Sequence, residues 1–381
     1  MTRAVTLPHA RLSGFYLFYF AILGILLPFW PLYLSSIGLN IAEIGTLMAV
    51  LMMTRVVSPM LWGHIGDRIS RRMRVVQWGS FAAAVCFAGV FLRTDYYWLL
   101  WIVAGYSFFW NAVLPQFEVV TLRYLGDQHH RYSQIRAWGS VGFIGAAIGL
   151  GWYFDMASIR HVPIMLLVCF VALWVLALSI PGAEKPVQHK HPAPPISLLL
   201  NKNVMGFIAA GLLMQLAHGP YYTYFSLFVE EAGYSKQSTG FYWALGAISE
   251  TLLFLVMHKI LPKTGTYRLF QFALLCSVAR WILLDYWVSS AAALFFIQIM
   301  HAGTFGAFHA ASIDFLRRYV PEGLSGQGQA LYSMFCYGVG GALGSLLSAW
   351  LWPMSPTYAF AMASGVSLLA VFVAYMTMNK S

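Results

Sequence analysis

Charged residues are scarce in this sequence of 381 residues. Asp, Glu, Lys and Arg make up 9% of it, whereas hydrophobic residues make up 60%. A soluble globular domain carries about 25% charged residues, so this chain has too few of them to cover its surface in water. The mean hydropathy of +0.68 agrees with this shortage. The composition therefore predicts a polytopic membrane protein.

Acidic residues are the scarcest charged type, with 13 against 23 Lys and Arg, which gives a net charge of +10. The positive charges are dispersed over many short loops, as is typical of cytoplasmic loops of membrane proteins. We therefore expect no nucleic-acid partner. The four cysteines stand singly inside apolar runs, without a CxxC pair or a Cys/His cluster. This spacing argues against a disulfide framework and a zinc site, and we predict no metal and no cofactor.

Long apolar runs dominate what is present. A membrane-spanning helix needs about 20 mainly apolar residues, and twelve such segments can be marked. The N-terminal run has no A-x-A cleavage site, which predicts a retained first helix rather than a signal peptide. The predicted spans are 12–34, 41–62, 74–92, 97–122, 134–154, 162–181, 203–229, 239–261, 268–288, 290–316, 325–351 and 355–377.

A polar segment rich in Pro and His, 182–202, lies at the middle of the chain. It predicts two six-helix halves, residues 1–181 and 203–381, joined by a central loop. Of the 23 Lys and Arg, 17 fall in the termini and even-numbered loops and three in the odd-numbered loops. This asymmetry predicts that both termini and the central loop are cytoplasmic.

A chain of six plus six helices fits a transporter whose substrate site lies between the two halves. A channel and an intramembrane enzyme are alternatives with as many spans. The sequence contains no HExxH, no GxSxG and no repeat typical of a selectivity filter. We therefore expect a transporter and not an enzyme.

The loop between the second and third spans reads GHIGDRISRR, from Gly63 to Arg72. It resembles the cytoplasmic signature of the major facilitator superfamily, except that Ser70 stands where the family usually has glycine. We expect Gly63 to allow two helices to approach closely. Asp67, Arg68 and Arg72 are expected to form a charge network at the interface of the halves.

A second match is RAWGSVGF, which begins at Arg136 and resembles the fifth helix of the lactose permease group. In that group a glutamate stands eighteen positions earlier, and here that position is Glu118. The segments LPFWPLYL, HGPYYTYF and IQIMHAGTFGAFHAA look most like the phenylpropionate permease family. The resemblance implies an all-α membrane protein with the major facilitator fold of 12 transmembrane helices, which acts as a monomer in the bacterial inner membrane.

Glu118 and Arg136 lie near the ends of two helices joined by a short loop, so the pair is expected to meet between them. The resemblance implies that this pair contacts substrate, and the alternative is a structural ion pair. A charge within a helix costs about 2.5–3.5 kcal/mol at the membrane centre, so it is rarely idle. Behind the arginine, Gly142, Gly145 and Gly149 have the spacing that lets helices pack backbone to backbone.

The second half carries Glu250 in span eight and Arg280 in span nine. In span ten, Gln298, His301 and Thr304 are three residues apart and share a face. The lactose permease group has Lys, His and Glu in this pattern, so this chain keeps the histidine and lacks the carboxylate used there in proton coupling.

If protons drive transport, the candidate carriers are Glu250, His301, His309 and Asp314, together with the glutamate of span four. We favour Glu250, because it lies midway along its span, where a charged carboxylate is costly and a protonated one is accessible. For either histidine the alternative is a hydrogen-bonded packing residue.

Span seven contains AHGPYYTYF, in which Pro220 is expected to weaken the helix. His218, Tyr221 and Tyr222 are candidates for stacking on an aromatic substrate. The alternative is an aromatic belt at the membrane interface.

We therefore expect proton-coupled uptake of a small organic solute, with protons and the lipid bilayer as its other partners. An aromatic carboxylate is favoured because Arg136 and Arg280 place cations beside many aromatic rings. A sugar or nucleoside symporter, a drug or metabolite exporter and a non-transporting sensor are the alternatives. The fold leaves substrate, direction and stoichiometry open.

Overall fold

The computed structural model describes residues 8–69, 71–128, 131–182, 198, 201–321 and 324–378, without the side chains of residues 64, 66–69 and 325. This described part is all-α, with no strand in it, as predicted. Its helices are α1 (His9–Ser36), α2 (Ile41–Ile69), α3 (Arg72–Ala88), α4 (Tyr96–Leu125), α5 (Tyr132–Met156), α6 (Val162–Ser179), α7 (Lys202–Ala217), α8 (Gly219–Glu231), α9 (Lys236–Thr264), α10 (Thr266–Trp287), α11 (Ala291–His301), α12 (Phe308–Tyr319), α13 (Ser325–Tyr332), α14 (Gly341–Leu351) and α15 (Pro356–Thr377).

Eleven helical segments of the described chain are long and apolar enough to cross a membrane, and they match eleven predicted spans to within a few residues. The remaining prediction, 203–229, is divided into α7 and α8 at His218. Pro220 causes this break, because proline lacks an N–H and disfavours helical backbone before it. The division into two halves stays a prediction, since most of 182–202 lies outside the described residues.

Two of the spans contain π-helical turns. Ala302–Ala307 joins α11 to α12, and Ser333–Gly340 joins α13 to α14, so each pair of helices forms one continuous span. π-helical turns are rare and occur frequently at functional sites. Both of these turns contribute residues to the central cavity.

The helices that precede the central loop pack against those that follow it, at one end of the bundle. α5 packs along α9, and α2 packs along α14. The Asp155 carboxylate accepts the backbone N–H groups of Lys236 (2.8 Å) and Gln237 (2.9 Å) at the start of α9. The Tyr224 hydroxyl donates to the carbonyl of Ile41 (2.7 Å). This closed end carries the odd-numbered loops and lies opposite the termini.

The glycines of α5 are only partly used for packing. A Cβ added at Gly142 would lie 2.0 Å from the carbonyl oxygen of Leu17, so α5 and α1 touch backbone to backbone there. A Cβ at Gly145 or Gly149 would meet no heavy atom of a neighbouring element within 4 Å. The expectation that all three glycines pack against a helix was therefore wrong for Gly145 and Gly149.

The signature segment 63–72 lies mostly in the last turns of α2 rather than in a loop, and Gly63 makes no close helix contact there. A Cβ at Gly63 would meet Gln116 Nε2 at 3.9 Å, which is an ordinary contact distance. Arg72 Nη1 donates to Gln116 Oε1 at 2.6 Å and so links α3 to α4. The side chains of Asp67 and Arg68 lie outside the described residues, and the predicted charge network stays a prediction.

The α1–α5 contact leads to a first prediction. Gly142→Ala should lower the melting temperature of the purified protein in detergent, because the new methyl group meets backbone that cannot rotate away. Overpacking of this kind costs about 1–3 kcal/mol. Gly149→Ala is the matched control on the same helix and should leave the melting temperature unchanged or slightly raised. Equal melting temperatures for the two variants would contradict the assigned packing.

Candidate functional site

A cavity of about 780 Å³ lies between α1, α4 and α5 on one side and α8, α9 and the span of α11 and α12 on the other. Helices α5 and α9, which pack against each other at the closed end, also line the cavity. Its wall combines aromatic rings with ionisable groups. The aromatic and ionisable lining residues are Phe20, Tyr132, Phe143, Tyr221, Tyr222, Trp243, Phe254, Phe305, Tyr337, Glu118, Arg136, Glu250, His301 and His309.

Glu118 of α4 and Arg136 of α5 meet across their helices, as the sequence predicts. Arg136 Nε lies 3.9 Å from Glu118 Oε1, and both side chains are about one-third exposed. The Tyr132 hydroxyl donates to the same carboxylate oxygen at 3.4 Å. The guanidinium also lies over the ring of Phe20, 4.0 Å from its centroid. The pair is loose, which leaves both groups able to bond a ligand.

Arg280 of α10 is fully buried behind the cavity wall. Its guanidinium donates to four acceptors, and it also lies 4.4 Å from the ring centroid of Tyr221. None of these acceptors is a carboxylate. They are the carbonyl of Ile297 (3.1 Å), Gln298 Oε1 (3.2 Å), His301 Nδ1 (3.1 Å) and Thr304 Oγ1 (3.0 Å).

His301 links this buried arginine to Glu250. A guanidinium has N–H donors and no acceptor, so His301 Nδ1 must accept the bond from Arg280. The ring proton then sits on Nε2, which faces Glu250 Oε2 at 3.7 Å. A second proton on His301 would direct an N–H at the guanidinium. The three side chains therefore form a chain that runs from the buried arginine to Glu250, and both His301 and Glu250 line the cavity.

The two predicted tyrosines of span seven both line the cavity. The Tyr221 hydroxyl donates to Gln298 Oε1 at 2.9 Å, which fixes its ring against Arg280. The ring of Tyr222 is stacked with Trp243, with centroids 6.2 Å apart. These rings form one aromatic wall with Phe305.

The other predicted histidines occupy different positions. His218 is fully buried behind the wall, where Nδ1 bonds the carbonyl of Met214 at 2.8 Å and the ring meets Trp281 edge-on. Its Nε2 has no partner among the described residues. His309 lines the cavity and bonds the Tyr337 hydroxyl through Nδ1 at 3.2 Å.

Asp314 lies near the end of α12, outside the cavity lining. Its carboxylate accepts bonds from Thr266 Oγ1 (2.5 Å), Arg317 Nη2 (2.6 Å) and Arg318 Nε (2.7 Å). This saturated network ties α12 to α10. Across the described chain, no group of three His, Cys, Asp or Glu side chains is arranged to hold a metal ion.

Several lining residues were missed in the sequence: Tyr132, Ser140, Trp243, Phe305 and Tyr337. Tyr132 precedes the arginine of α5 by four residues, and this helical spacing places both on one face. The other four had no local signal, because their neighbours in the sequence are equally apolar or small.

A bundle of membrane spans packed around a central cavity with ionisable walls defines a multi-pass membrane transporter. Comparison with known families agrees with this class. The chain belongs to the MFS_1 like family, whose model matches residues 9–362.

Individual relatives cover nearly the whole chain. A probable 3-phenylpropionic acid transporter of Escherichia coli (strain K12) is 27% identical over 369 residues, 94% of this chain and 95% of that protein. A maltose permease of Geobacillus stearothermophilus is 26% identical over 375 residues, 92% of this chain and 91% of that protein. The fold is similar to the crystal structure of the nucleoside transporter NupG, with a TM-score of 0.85, 17% identity and coverage of 98% and 99%. The predicted family resemblance and fold are confirmed, and the chain is a transporter rather than an enzyme.

The Arg280 cluster leads to a second prediction. Gln298→Leu should lower the melting temperature, because Gln298 Oε1 accepts from both Arg280 and Tyr221. Loss of a hydrogen bond to a charged group costs about 1.5–3 kcal/mol. Gln329→Leu, at an exposed position of α13, is the matched control and should have little effect. A Gln298→Leu variant as stable as this control would show that the cluster does not depend on the amide.

Proposed function

We propose that this protein is a secondary transporter that takes up an aromatic carboxylate together with protons. The observation that carries the proposal is a cavity with aromatic walls and arginines near it. Arg136 lines the cavity, Arg280 is buried behind its wall, and Arg55 of α2 has no carboxylate partner among the described residues. An anionic substrate can neutralise this unpaired positive charge.

The aromatic wall supports the choice of a ring-bearing acid. Tyr221, Tyr222 and Trp243 offer faces and edges on which a planar ring can stack. The likeness to a probable 3-phenylpropionic acid transporter points to the same chemistry. In this proposal Glu118 and Arg136 contact the substrate directly, and the arginine of α10 and His218 hold the wall in place from behind.

Glu250 is the proposed proton carrier. His301 is held as an acceptor by the buried arginine, and His309 is bonded to the Tyr337 hydroxyl. Asp314 is occupied by three donors at the end of its helix. Glu250 faces the cavity in the middle of α9, where a proton can be taken up from water and released again.

We further infer that the protein is a monomer in a bacterial inner membrane, with both termini and the segment 182–202 in the cytoplasm. The 17-to-3 distribution of Lys and Arg supports this orientation. With that orientation the closed end faces the periplasm, and the cavity belongs to an inward-facing state.

A neutral sugar or nucleoside is the second candidate substrate. The relative named as a maltose permease and the likeness to a nucleoside transporter favour it. Ser133, Ser140 and Thr251 border the cavity and offer hydroxyl groups for such a ligand. Export of a drug or metabolite is the third candidate and differs from the others in direction.

Transport in proteoliposomes provides a third prediction. Radiolabelled 3-phenylpropionate should accumulate when a proton gradient is imposed and should leave when an ionophore collapses the gradient. Glu250→Gln should lose this uphill accumulation and retain counterflow exchange, because exchange does not require release of the proton. Glu231→Gln, at the exposed end of α8, is the matched control and should behave like the parent.

Three results would contradict parts of this proposal. Uphill accumulation by the Glu250→Gln variant would move the proton to another group. Uptake of maltose or uridine in place of the acid would favour the second candidate. Accumulation of the acid inside inverted vesicles against its concentration gradient would indicate export.

A further inference from the structure

Arg55 of α2 is an intramembrane arginine without a counter-ion. Among the described residues, no carboxylate forms an ion pair with it, and no acceptor bonds its guanidinium. Its side chain is partly buried. The next residue, Val56, is in the contact with Gly338 that joins α2 to the span of α13 and α14. Arg55 therefore lies beside the second π-helical turn, whose Tyr337 lines the cavity.

Three phenols interact electrostatically with this guanidinium: Tyr19 of α1, Tyr222 of α8 and Tyr337 of the second π-helical turn. Tyr222 and Tyr337 line the cavity. The hydroxyls of Tyr19 and Tyr222 make no hydrogen bond to another described residue. Neither hydroxyl oxygen is fully buried. The guanidinium and two of the hydroxyls with which it interacts electrostatically are thus donors without a hydrogen-bond partner among the described residues.

The other two intramembrane arginines are already engaged. Arg136 is paired with Glu118 at 3.9 Å. Arg280 donates to four neutral acceptors, and its guanidinium lies against the ring of Tyr221, which lines the cavity. Arg55 is therefore the cation whose charge is uncompensated by any neighbour that the structure describes.

We propose that Arg55 is the group that receives the carboxylate of the substrate, with the hydroxyls of Tyr19 and Tyr222 as additional donors. This inference rests on the proposed transport of an aromatic acid and assigns its recognition to residues outside the glutamate–arginine pair. A guanidinium binds a carboxylate through two parallel N–H bonds, which gives direction as well as affinity. The substrate ring then extends toward the aromatic wall.

The position of Arg55 also connects binding to conformational change. Arg55 and Tyr19 belong to helices before the central loop, and Tyr222 to a helix after it. An anion held by all three would bridge the two groups of helices. Binding energy is therefore available where the two groups separate during alternating access.

The experiment measures binding to the purified full-length protein in detergent, with 3-phenylpropionate as the charged probe and 3-phenylpropan-1-ol as the neutral one. The parent should bind the acid more tightly than the alcohol. Arg55→Gln should weaken acid binding at least about tenfold, as expected for loss of hydrogen bonds to a charged group, and leave alcohol binding unchanged. Arg55→Lys should keep part of the preference for the acid. Arg93→Gln, which removes an exposed cation paired with Asp95, is the matched control and should bind both probes like the parent.

Each remaining outcome decides between the two proposals. If the parent prefers the acid and Arg55→Gln keeps that preference, the assignment to Arg55 is overturned while the proposed function stands. If the parent shows no preference for the acid, both are overturned. If Arg55→Gln fails to bind the alcohol, Tyr222→Phe replaces it as the test. That variant removes one hydroxyl and should weaken the binding of the acid only, and unchanged acid binding would contradict the site.

Discussion

A guanidinium in the hydrocarbon region of a membrane is stable only where hydrogen-bond acceptors, anions or water replace its hydration shell. This protein has three such groups, and each has a different environment. Arg136 has a carboxylate partner, Glu118, at 3.9 Å. Arg280 is surrounded by neutral acceptors. Arg55 has neither. The uncompensated charge of Arg55 is the reason that we expect an anion in the cavity. The hydrogen bond from Arg280 fixes His301 as an acceptor beside Glu250.

The helices before and after the central loop pack closely at one end of the bundle. The backbone contact between α9 and α5 is possible because Gly240 leaves room for the carbonyl of Ala147. The Asp155 carboxylate adds two charge-assisted bonds to the N-terminus of α9. Such bonds exchange readily with water when helices part, whereas interlocked large side chains would not. The closed end is thus held by contacts suited to repeated opening.

The sequence predicted the spans, the Glu118–Arg136 pair and the break at Pro220, because each depends on local composition or on short connections. It failed where tertiary placement decides. Asp314 was assigned to proton coupling, but it lies in a network outside the cavity lining. Gly149 was assigned to packing and faces open space. Lipid and protein neighbours are both apolar, so hydrophobic periodicity distinguishes helix faces poorly in a membrane bundle. The uncompensated state of Arg55 is visible only from the contacts around it.

The charge balance of the cavity is tested most directly by the net charge that transport moves. A carboxylate bound at the unpaired arginine and one proton on Glu250 together carry no net charge across the membrane. A rapid step in 3-phenylpropionate over proteoliposomes on a solid-supported electrode should therefore give no sustained current, while the same vesicles accumulate the radiolabelled acid. A sustained current accompanying uptake would show that charge crosses uncompensated and would contradict the account.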